Sequence, residues 1–184
     1  MATSITVLKF AAIAVAALLG LALTLSVVSL AYTRLISPVA RHTERIIDAS
    51  PEQVWEVLAD LPSWGQWSPN FVSIAGTLQA GEHLENHVCA GGNELVFRPR
   101  VLVAESAREL RWKGTLYVPG LADGEHYFEL TETPDGRTRF VQGEDFTGAL
   151  VLYAGSAIDV EDDMRAFNDA LAAEVARRHV TVTP

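Results

Sequence analysis

The stretch from Ala49 to Phe71 limits the fold most strongly, because it holds one well-capped short helix that is followed at once by a break. Ser50 is a favoured N-cap residue, Pro51 suits the first helical position, and Gln53 stands where a capping-box side chain reaches back. Pro62 disfavours a helical residue before it, so the helix should end there. So short a helix needs a larger element to cover its apolar side.

Two tryptophans follow this helix in a turn that is too short for another long helix. Trp64 and Trp67 lie three residues apart, and Pro69 closes the segment. Each tryptophan buries about 150–250 Å² when it packs inward. The turn therefore requires a concave apolar surface to lie against.

Downstream of this turn the hydrophobic pattern has the period of two that is typical of strands, and it becomes helical only near the C-terminus. The clearest hairpin turn is Pro134-Asp135-Gly136. Consecutive strands with helices at the ends indicate an α+β fold whose antiparallel sheet curves around the long C-terminal helix. We predict strands at 42–48, 70–77, 83–89, 94–105 (the longest), 109–118, 125–133 and 137–146, and the last helix at 159–178.

These features resemble the START-like, helix-grip superfamily, and in particular its SRPBCC branch of polyketide cyclase/dehydrase and lipid transport domains. The strand, capped helix and Trp-x-x-Trp turn carry the resemblance through Ile46, Ile47, Ala49, Pro51, Glu52, Val54, Trp55, Asp60, Trp64, Trp67 and Pro69. Near the C-terminus, Phe167, Asn168 and Leu171 are similar to an F-x-x-x-N-x-x-L pattern, although Phe167 and Asn168 are adjacent here and the three spacer residues between them are missing. The resemblance spans about residues 42–180 and implies a helix-grip fold. Because the superfamily includes ligand carriers, cyclases, hydrolases and co-chaperones, it does not settle the function.

A run of 23 residues without a charge, from Phe10 to Tyr32, precedes this domain. As a helix it spans about 35 Å, enough to cross a bilayer core of about 30 Å. We therefore predict a single transmembrane anchor within residues 1–35, a short connector at 36–41 and a ligand-binding domain at 42–180.

Two other interpretations of the apolar run stay open. Ser29-Leu30-Ala31 offers small residues to a signal peptidase, although the run exceeds the usual apolar length of about 7–15 residues. A buried core helix is the other alternative. The side of the membrane is also undecided, because Lys9 flanks one end and three arginines follow the other. The single Cys89 does not indicate a redox compartment.

Charge restricts the partners of the domain. The chain has 14 basic and 23 acidic side chains, and residues 1–40 hold two of the basic ones and no acidic one. The remainder thus carries a formal charge of −11, which disfavours nucleic acid and anionic lipid surfaces as partners. We expect a hydrophobic small molecule as ligand and, through the anchor, a membrane; the sequence does not indicate an oligomeric state.

Strand alternation assigns side chains to the space between the sheet and the last helix. A mostly apolar surface with a few polar groups is typical of a small-molecule site, although His126 and Glu144 are also compatible with a solvated rim. The predicted ligand-binding residues are Trp67, Trp112, His126, Phe128, Phe140, Gln142, Glu144, Phe146, Met164, Phe167 and Asn168.

The sequence supports three functions for this space. We expect membrane-anchored binding of a lipid, quinone or polyketide-like compound, oriented by His126, Gln142 and Glu144. The first alternative is a cyclase, hydrolase or dehydratase that uses His126 and Glu144 as an acid/base pair, although no nucleophile motif accompanies them. The second is a non-catalytic interaction module whose interior is filled by its own side chains, with Trp55, Trp64 and Trp67 as core.

Two further segments have residue patterns that suggest other sites. His83, Glu85, His87 and Cys89 share one strand face, but residues two apart lie about 6.5–7 Å apart at Cα and seldom converge on one ion. We predict no metal and no cofactor. The apolar, glycine-punctuated segment 147–155 is expected either to form a gate at the cavity entrance, facing the membrane, or to form the first turns of the last helix.

Overall fold

A computed structural model describes residues 2–90 and 93–179 of the chain. It holds four α-helices and eight strands within these residues. The helices are α1 (Ala2–Leu35), α2 (Pro51–Ala59), α3 (Trp64–Trp67) and α4 (Glu161–His179). The strands are β1 (Val39–Ile47), β2 (Phe71–Gly76), β3 (Leu84–Ala90), β4 (Asn93–Phe97), β5 (Arg100–Glu105), β6 (Glu109–Thr115), β7 (Asp123–Glu132) and β8 (Thr138–Thr147).

The strands form two antiparallel sheets that share one interior with α4. The larger sheet has the order β1-β8-β7-β6-β5, and the smaller one has the order β2-β3-β4. A bridge between His83 and Arg100 joins them. The predicted α+β, helix-grip architecture with its long C-terminal helix and its N-terminal apolar helix is thus confirmed.

Local sequence signals explain where α2 begins and ends. The Ser50 side chain accepts a hydrogen bond from the backbone N–H of Gln53, and the Gln53 side chain accepts one from the backbone N–H of Ser50. Leu61–Ser63 continues the chain as a single 3-10 turn that carries Pro62. This reversal brings Trp64 under the sheet, where its side chain is completely buried.

Several boundaries differ from the prediction. The predicted strand 94–105 is two strands, because Pro99 has no N–H to donate to a ladder and its carbonyl instead accepts from the Leu84 N–H. β4 therefore pairs with β3, whereas β5 pairs with β6. β1 begins at Val39, opposite Phe146, so the connector after α1 is 36–38 rather than 36–41. The predicted domain limit at residue 180 lies outside the described residues.

The segment 147–155 does not start the last helix. It forms a 3-10 turn at Val151–Tyr153, a second follows at Gly155–Ile158, and α4 begins only at Glu161. We call residues 148–160 the linker. Whether the linker acts as a gate stays a prediction.

Strand registers define two ends of the domain. Val39 of β1, Phe146 of β8 and Gly124 of β7 lie side by side at one end, which we call the α1 end because α1 enters there. The β7–β8 hairpin at 133–137 marks the opposite, or hairpin, end. The linker and the β6–β7 turn at 116–122 both lie at the α1 end.

The last three turns of α1 pack against this end of the domain, which sequence reasoning did not predict. The residues Ser26, Ser29, Leu30 and Thr33 are buried or partly buried, and their spacing places them on one helix face. We call them the docking face. By contrast, none of the side chains in the most apolar part of Thr6–Leu35 is buried, and this stretch is long and apolar enough to cross a membrane.

Hydrogen bonds hold the docking face to the linker. The Ser29 hydroxyl donates to the carbonyl of Gly148 at 2.7 Å and accepts from the N–H of Leu152 at 3.2 Å. The Gly148 N–H donates to the Thr33 hydroxyl at 2.9 Å. Beside them, Arg34 forms an ion pair with the buried Asp123 at 3.0 Å. Both hydroxyls are fully enclosed, so this part of α1 belongs to the domain.

At the hairpin end, α4 is fixed by an ion-pair cluster around Glu174. Its nearly buried carboxylate accepts hydrogen bonds from Arg177 and Arg178, each at 2.7 Å. Arg178 continues to Asp60 and Ser63, both at 2.9 Å, and so ties α4 to the turn after α2. The hydrogen bond from Arg177, supported by Arg178, lowers the pKa of Glu174 from 4.5 to about 2.

We expect Glu174→Gln to lower the free energy of unfolding by about 1–2 kcal/mol at pH 7, because water screens the largely exposed Arg177. A lowered pKa contributes stability that is fully present above pH 4.5 and lost as the pH falls toward about 2. The variant should therefore show a flatter pH dependence across that window. Denaturant unfolding of the full chain in detergent, repeated at several pH values, measures the free energy of unfolding and its pH dependence.

Asp162→Asn is the matched control for this prediction. Asp162 also pairs with an arginine of α4, but its side chain is 95% exposed. This substitution should leave the pH dependence unchanged. Equal slopes for wild type and Glu174→Gln between pH 4.5 and 2 would contradict the assignment.

Candidate functional site

Three polar side chains meet on the inward face of β7 and β8. His126 Nδ1 lies 3.3 Å from Glu144 Oε2, and His126 Nε2 lies 3.0 Å from Gln142 Nε2. His126 and Glu144 are directly opposite each other in the β7–β8 register. Their side chains are 14% and 22% exposed, so the pair stands at the border between interior and solvent. We call these three residues the polar triad.

Aromatic rings surround the triad on its inner side. The His126 ring stacks on Trp112 with a centroid distance of 5.3 Å and an interplanar angle of 13°. The Phe128 ring lies 4.9 Å from His126 and is fully buried. These contacts fix the plane of the imidazole, so its two nitrogens are directed at Glu144 and Gln142.

Two buried amides, Gln142 of the triad and Asn168 of α4, each leave an acceptor oxygen without a partner. The Gln142 side chain is 3% exposed and that of Asn168, on α4, is 2% exposed. Asn168 Nδ2 donates to the hydroxyl of Thr43 at 2.9 Å, and Thr43 lies directly opposite Gln142 in the β1–β8 register. Gln142 Oε1 and Asn168 Oδ1 nevertheless have no hydrogen-bond partner among the protein atoms. A buried carbonyl oxygen of this kind costs stability unless a donor reaches it.

Gly124 makes room for the carboxylate of the triad. A Cβ atom at Gly124 would lie 2.1 Å from Glu144 Oε1. Gly124 adopts no positive φ, so it is the space and not the backbone conformation that requires glycine here. The carboxylate therefore lies flat over the β7 backbone, within reach of His126.

The burial of the remaining predicted residues decreases along the interior, from the hairpin end toward the α1 end. Trp112, Phe128, Phe140 and Phe167 are buried and pack in one aromatic cluster with Trp64, and Trp67 covers this cluster at its edge. Met164 is buried further toward the α1 end, where Phe146 is partly exposed. The interior is thus filled toward the hairpin end and becomes polar and more accessible toward the α1 end.

Two concave surfaces of the described residues lie outside this interior. One lies between β1 and α4, around Ile46 and Ala173. The other is lined by basic residues on β5 and β6, among them Arg100 and Lys113. Neither surface coincides with the predicted space between the sheet and α4, whose hairpin half is filled by the aromatic cluster.

The outward faces of the same strands are solvated ion networks, as alternation predicts. Arg111 contacts Glu109, Glu125 and Glu129 at 2.6–3.3 Å and lies over the Tyr127 ring. Burial of the Tyr127 hydroxyl, together with nearby carboxylates, raises the pKa of this residue. These groups face away from the triad.

The strand face with His83, Glu85, His87 and Cys89 is polar and largely solvated. His87 hydrogen-bonds to Glu94 at 2.7 Å and to Glu85 at 3.2 Å, and these bonds raise the pKa of His87. No group of three or more potential ligands in the described part of the chain is arranged to hold a metal ion.

Sequence reasoning missed Thr43, Gly124 and the docking face as parts of this region. Thr43 is a threonine in an ordinary strand pattern, and only the register shows that it links Gln142 to α4. Gly124 had a local signal, since an isolated glycine within a strand often marks close approach of another group.

A family model described as polyketide cyclase/dehydrase and lipid transport matches residues 39–176, which is most of the chain. The chain belongs to this family. The resemblance carried by the capped helix and the Trp-x-x-Trp turn is thereby confirmed. Membership shows a hydrophobic ligand-binding fold and leaves the ligand open. Among curated proteins, none matches the chain.

Solved structures show the same fold. An aromatase/cyclase, Zhui, from Streptomyces sp. R1128 is 21% identical with a TM-score of 0.62, covering 78% of this chain and 98% of its own. A START superfamily protein from Mycobacterium smegmatis is 15% identical with a TM-score of 0.58, covering 76% and 98%. At these identities the similarity concerns the fold alone.

In this family member, we expect Gly124→Ala to push the Glu144 carboxylate away from His126. The atom displaced is the end of a flexible side chain, so the free energy of unfolding should change by less than about 1 kcal/mol. ¹⁵N NMR of the His126 imidazole, together with thermal unfolding, measures both effects.

Gly114→Ala is the matched control, because Gly114 lies directly opposite Gly124 and a Cβ there meets nothing within 4 Å. Its imidazole resonances should resemble the wild type. An unchanged His126 spectrum in Gly124→Ala would show that the carboxylate and the imidazole do not interact.

Proposed function

We propose that this protein is a membrane-anchored binder of a hydrophobic small molecule, held between the sheet and α4 and oriented by the polar triad. The ligand is a largely apolar compound with at least one polar group, such as a lipid, a quinone or a polyketide-like molecule. The apolar part would lie against Phe146, Met164 and the linker, and the polar part against His126 and Gln142.

The pair of unpartnered amide oxygens carries this proposal. Gln142 Oε1 and Asn168 Oδ1 are both buried. They are close in the fold, because Thr43 bonds to Asn168 and lies opposite Gln142 in the β1–β8 register. Leucine or methionine of similar size would avoid the desolvation cost of these groups. Polar groups kept at such a cost are common in binding sites, where a ligand supplies the missing partner.

The packing of α1 supports anchoring over a cleaved signal peptide. Cleavage after Ala31 would remove Ser29, whose hydroxyl is enclosed and bonded to both Gly148 and Leu152. The linker would then lose two of its fixed hydrogen bonds. An uncleaved helix retains them and leaves the exposed apolar part of α1 for the bilayer.

An interaction module is the second candidate, favoured by the filled hairpin half of the interior. Trp64 is completely buried among Phe128, Phe167 and Trp112, so this half has no room for a ligand. Trp55 and Trp67 are partly buried and pack against the same cluster. Under this hypothesis the triad would be structural, and its partner would be another protein.

Catalysis has less support than binding. His126 and Glu144 are within hydrogen-bond distance, which suits general acid–base chemistry. Neither serine nor cysteine side chains accompany them on the inward faces of β7 and β8. A cyclase or dehydratase stays an alternative, and the identity of the ligand would distinguish it from a binder.

Native mass spectrometry of the full chain, purified from its own host in mild detergent, tests the proposal. We expect a bound hydrophobic compound that organic extraction releases. An empty protein that also takes up no member of a panel of lipids, quinones and phenols would contradict ligand binding and favour the interaction module.

Gln142→Met then tests the site. The substitution removes both the unpartnered oxygen and the amide contact with His126 Nε2, so we expect these opposite effects on thermal stability nearly to cancel, together with at least about tenfold weaker binding. Gln53→Met is the crossed control, because it removes the capping-box bond of α2 and should lower stability by about 1 kcal/mol with binding unchanged. Equal effects of both variants on binding would place the ligand elsewhere.

A further inference from the structure

The position of the docking face sets the depth of α1 in a membrane. Helix α1 has 34 residues and is about 51 Å long, whereas about 20 residues suffice to cross a bilayer core of about 30 Å. About fourteen residues are therefore in excess. The docking face begins at Ser26, and the twenty residues that precede it are Thr6–Leu25.

A hydrogen bond links the linker to α1 at the same level. The Tyr153 hydroxyl donates to the carbonyl of Leu25 at 3.0 Å. At the other end of the docked segment, Arg34 pairs with Asp123. These two contacts lie nine residues apart on α1, or about 14 Å along its axis. The Tyr153 contact therefore lies about 14 Å further toward the N-terminus of α1 than the Asp123 contact.

An exposed apolar surface lies beside α1, with Tyr153 at the level of Leu25 and Gly120 at the level of Leu30 and Arg34. It consists of two turns, which the backbone joins through bonds from Ala149 to Gly120 and from Leu150 to Leu121. We call it the apolar rim, and its exposed members are Leu116, Tyr117, Val118, Leu150, Leu152 and Tyr153.

The tip of the rim is held in an uncommon conformation. Tyr117 has a φ of +59°, which is rare for a tyrosine, and its side chain is 88% exposed. Such a conformation costs stability and is common at functional positions. Tyrosine is also enriched at the boundary between lipid and water, where its ring lies in the lipid and its hydroxyl in the water.

We propose that only Thr6–Leu25 crosses the bilayer and that the apolar rim lies in the lipid at its surface. The inference rests on the membrane anchoring proposed above. Its partner is a phospholipid bilayer, because the rim is continuous with the apolar helix and is fixed beside it by the Leu25 and docking-face bonds. Lys9 lies within one turn of Thr6, where a long basic side chain reaches the far interface.

The consequence concerns the ligand. The linker forms part of the rim and borders the α1 end of the interior, where Phe146, His126 and Glu144 are partly exposed. A hydrophobic compound would then pass between bilayer and protein without crossing water.

Spin labels test the depth of the rim. The full chain, with Cys89→Ser as background, carries one label at Tyr117→Cys, Val118→Cys or Leu152→Cys in phosphatidylcholine nanodiscs. Asp135→Cys in the β7–β8 hairpin is the control, because it lies at the opposite end of the domain. We expect the rim labels to be severalfold more accessible to oxygen than to a water-soluble nickel chelate, and the Asp135 label to show the reverse.

The outcomes separate the two proposals. Rim labels in water, on protein that still floats with phosphatidylcholine vesicles, would overturn the depth assignment and leave the anchor. Protein that does not float would overturn both. Rim labels in lipid support the inference, whatever native mass spectrometry shows about a ligand.

Thr33→Val tests the contact that fixes the rim. It keeps the shape of the side chain but removes the acceptor of the Gly148 N–H. We expect hydrogen exchange in residues 148–153 to become severalfold faster. Thr24→Val is the matched control, because the Thr24 hydroxyl bonds only to the Gly20 carbonyl within the exposed part of α1. Equal exchange in both variants would show that the docking face does not hold the linker, and would overturn the inference.

Discussion

Burial of Trp64 is the interaction on which the domain depends. Its ring lies within 4.8–6.3 Å of Phe71 in the small sheet, Trp112 and Phe128 in the large sheet, and Phe167 on α4. One side chain thus joins both sheets to the helix, and its indole N–H is satisfied by the Leu58 carbonyl at 3.1 Å. The next residue must be glycine, because a Cβ there would lie 2.2 Å from the Val72 carbonyl oxygen. Truncation of a buried tryptophan typically costs about 3–5 kcal/mol.

The same packing fills the hairpin half of the interior with aromatic side chains. The proposed ligand space therefore lies toward the α1 end. There the walls change from aromatic to polar, with His126 and Glu144 at the border to solvent. The aromatic hairpin half of the interior contributes stability, and the buried amides of Gln142 and Asn168 lie at its border.

Much of the fold was predictable, because the signals that determine it are local. The capping box, the Trp-x-x-Trp turn and the period of two in 137–146 are each read within a few residues, and alternation placed Phe140, Gln142 and Glu144 on the inward face. The break at Pro99 was also visible, since proline in a run of strand residues interrupts pairing. The unpartnered oxygens were not predictable, because they depend on the register that sets Thr43 beside Gln142.

The docking face was not predictable from the sequence, for a different reason. Serine and threonine in an apolar helix can bond to the carbonyl one turn earlier, as Thr24 does with Gly20, so their presence does not indicate a partner. The partner, Gly148, lies more than one hundred residues away in the sequence. Only the spacing of Ser26, Ser29 and Thr33 on one face distinguishes them from isolated hydroxyls.

Under the proposed anchoring, this polar face also explains how one helix serves two environments. Hydroxyl groups facing lipid must bond within their own helix, whereas Ser29 and Thr33 are completed by the backbone of the linker. The part of α1 that bears them is therefore stable against the domain, whereas the exposed and mostly apolar part before Ser26 would lie in lipid. Because the two parts are one continuous helix, the orientation of the domain would follow from the orientation of the anchor. The bonds that close the linker would then also hold the triad end of the interior toward the membrane.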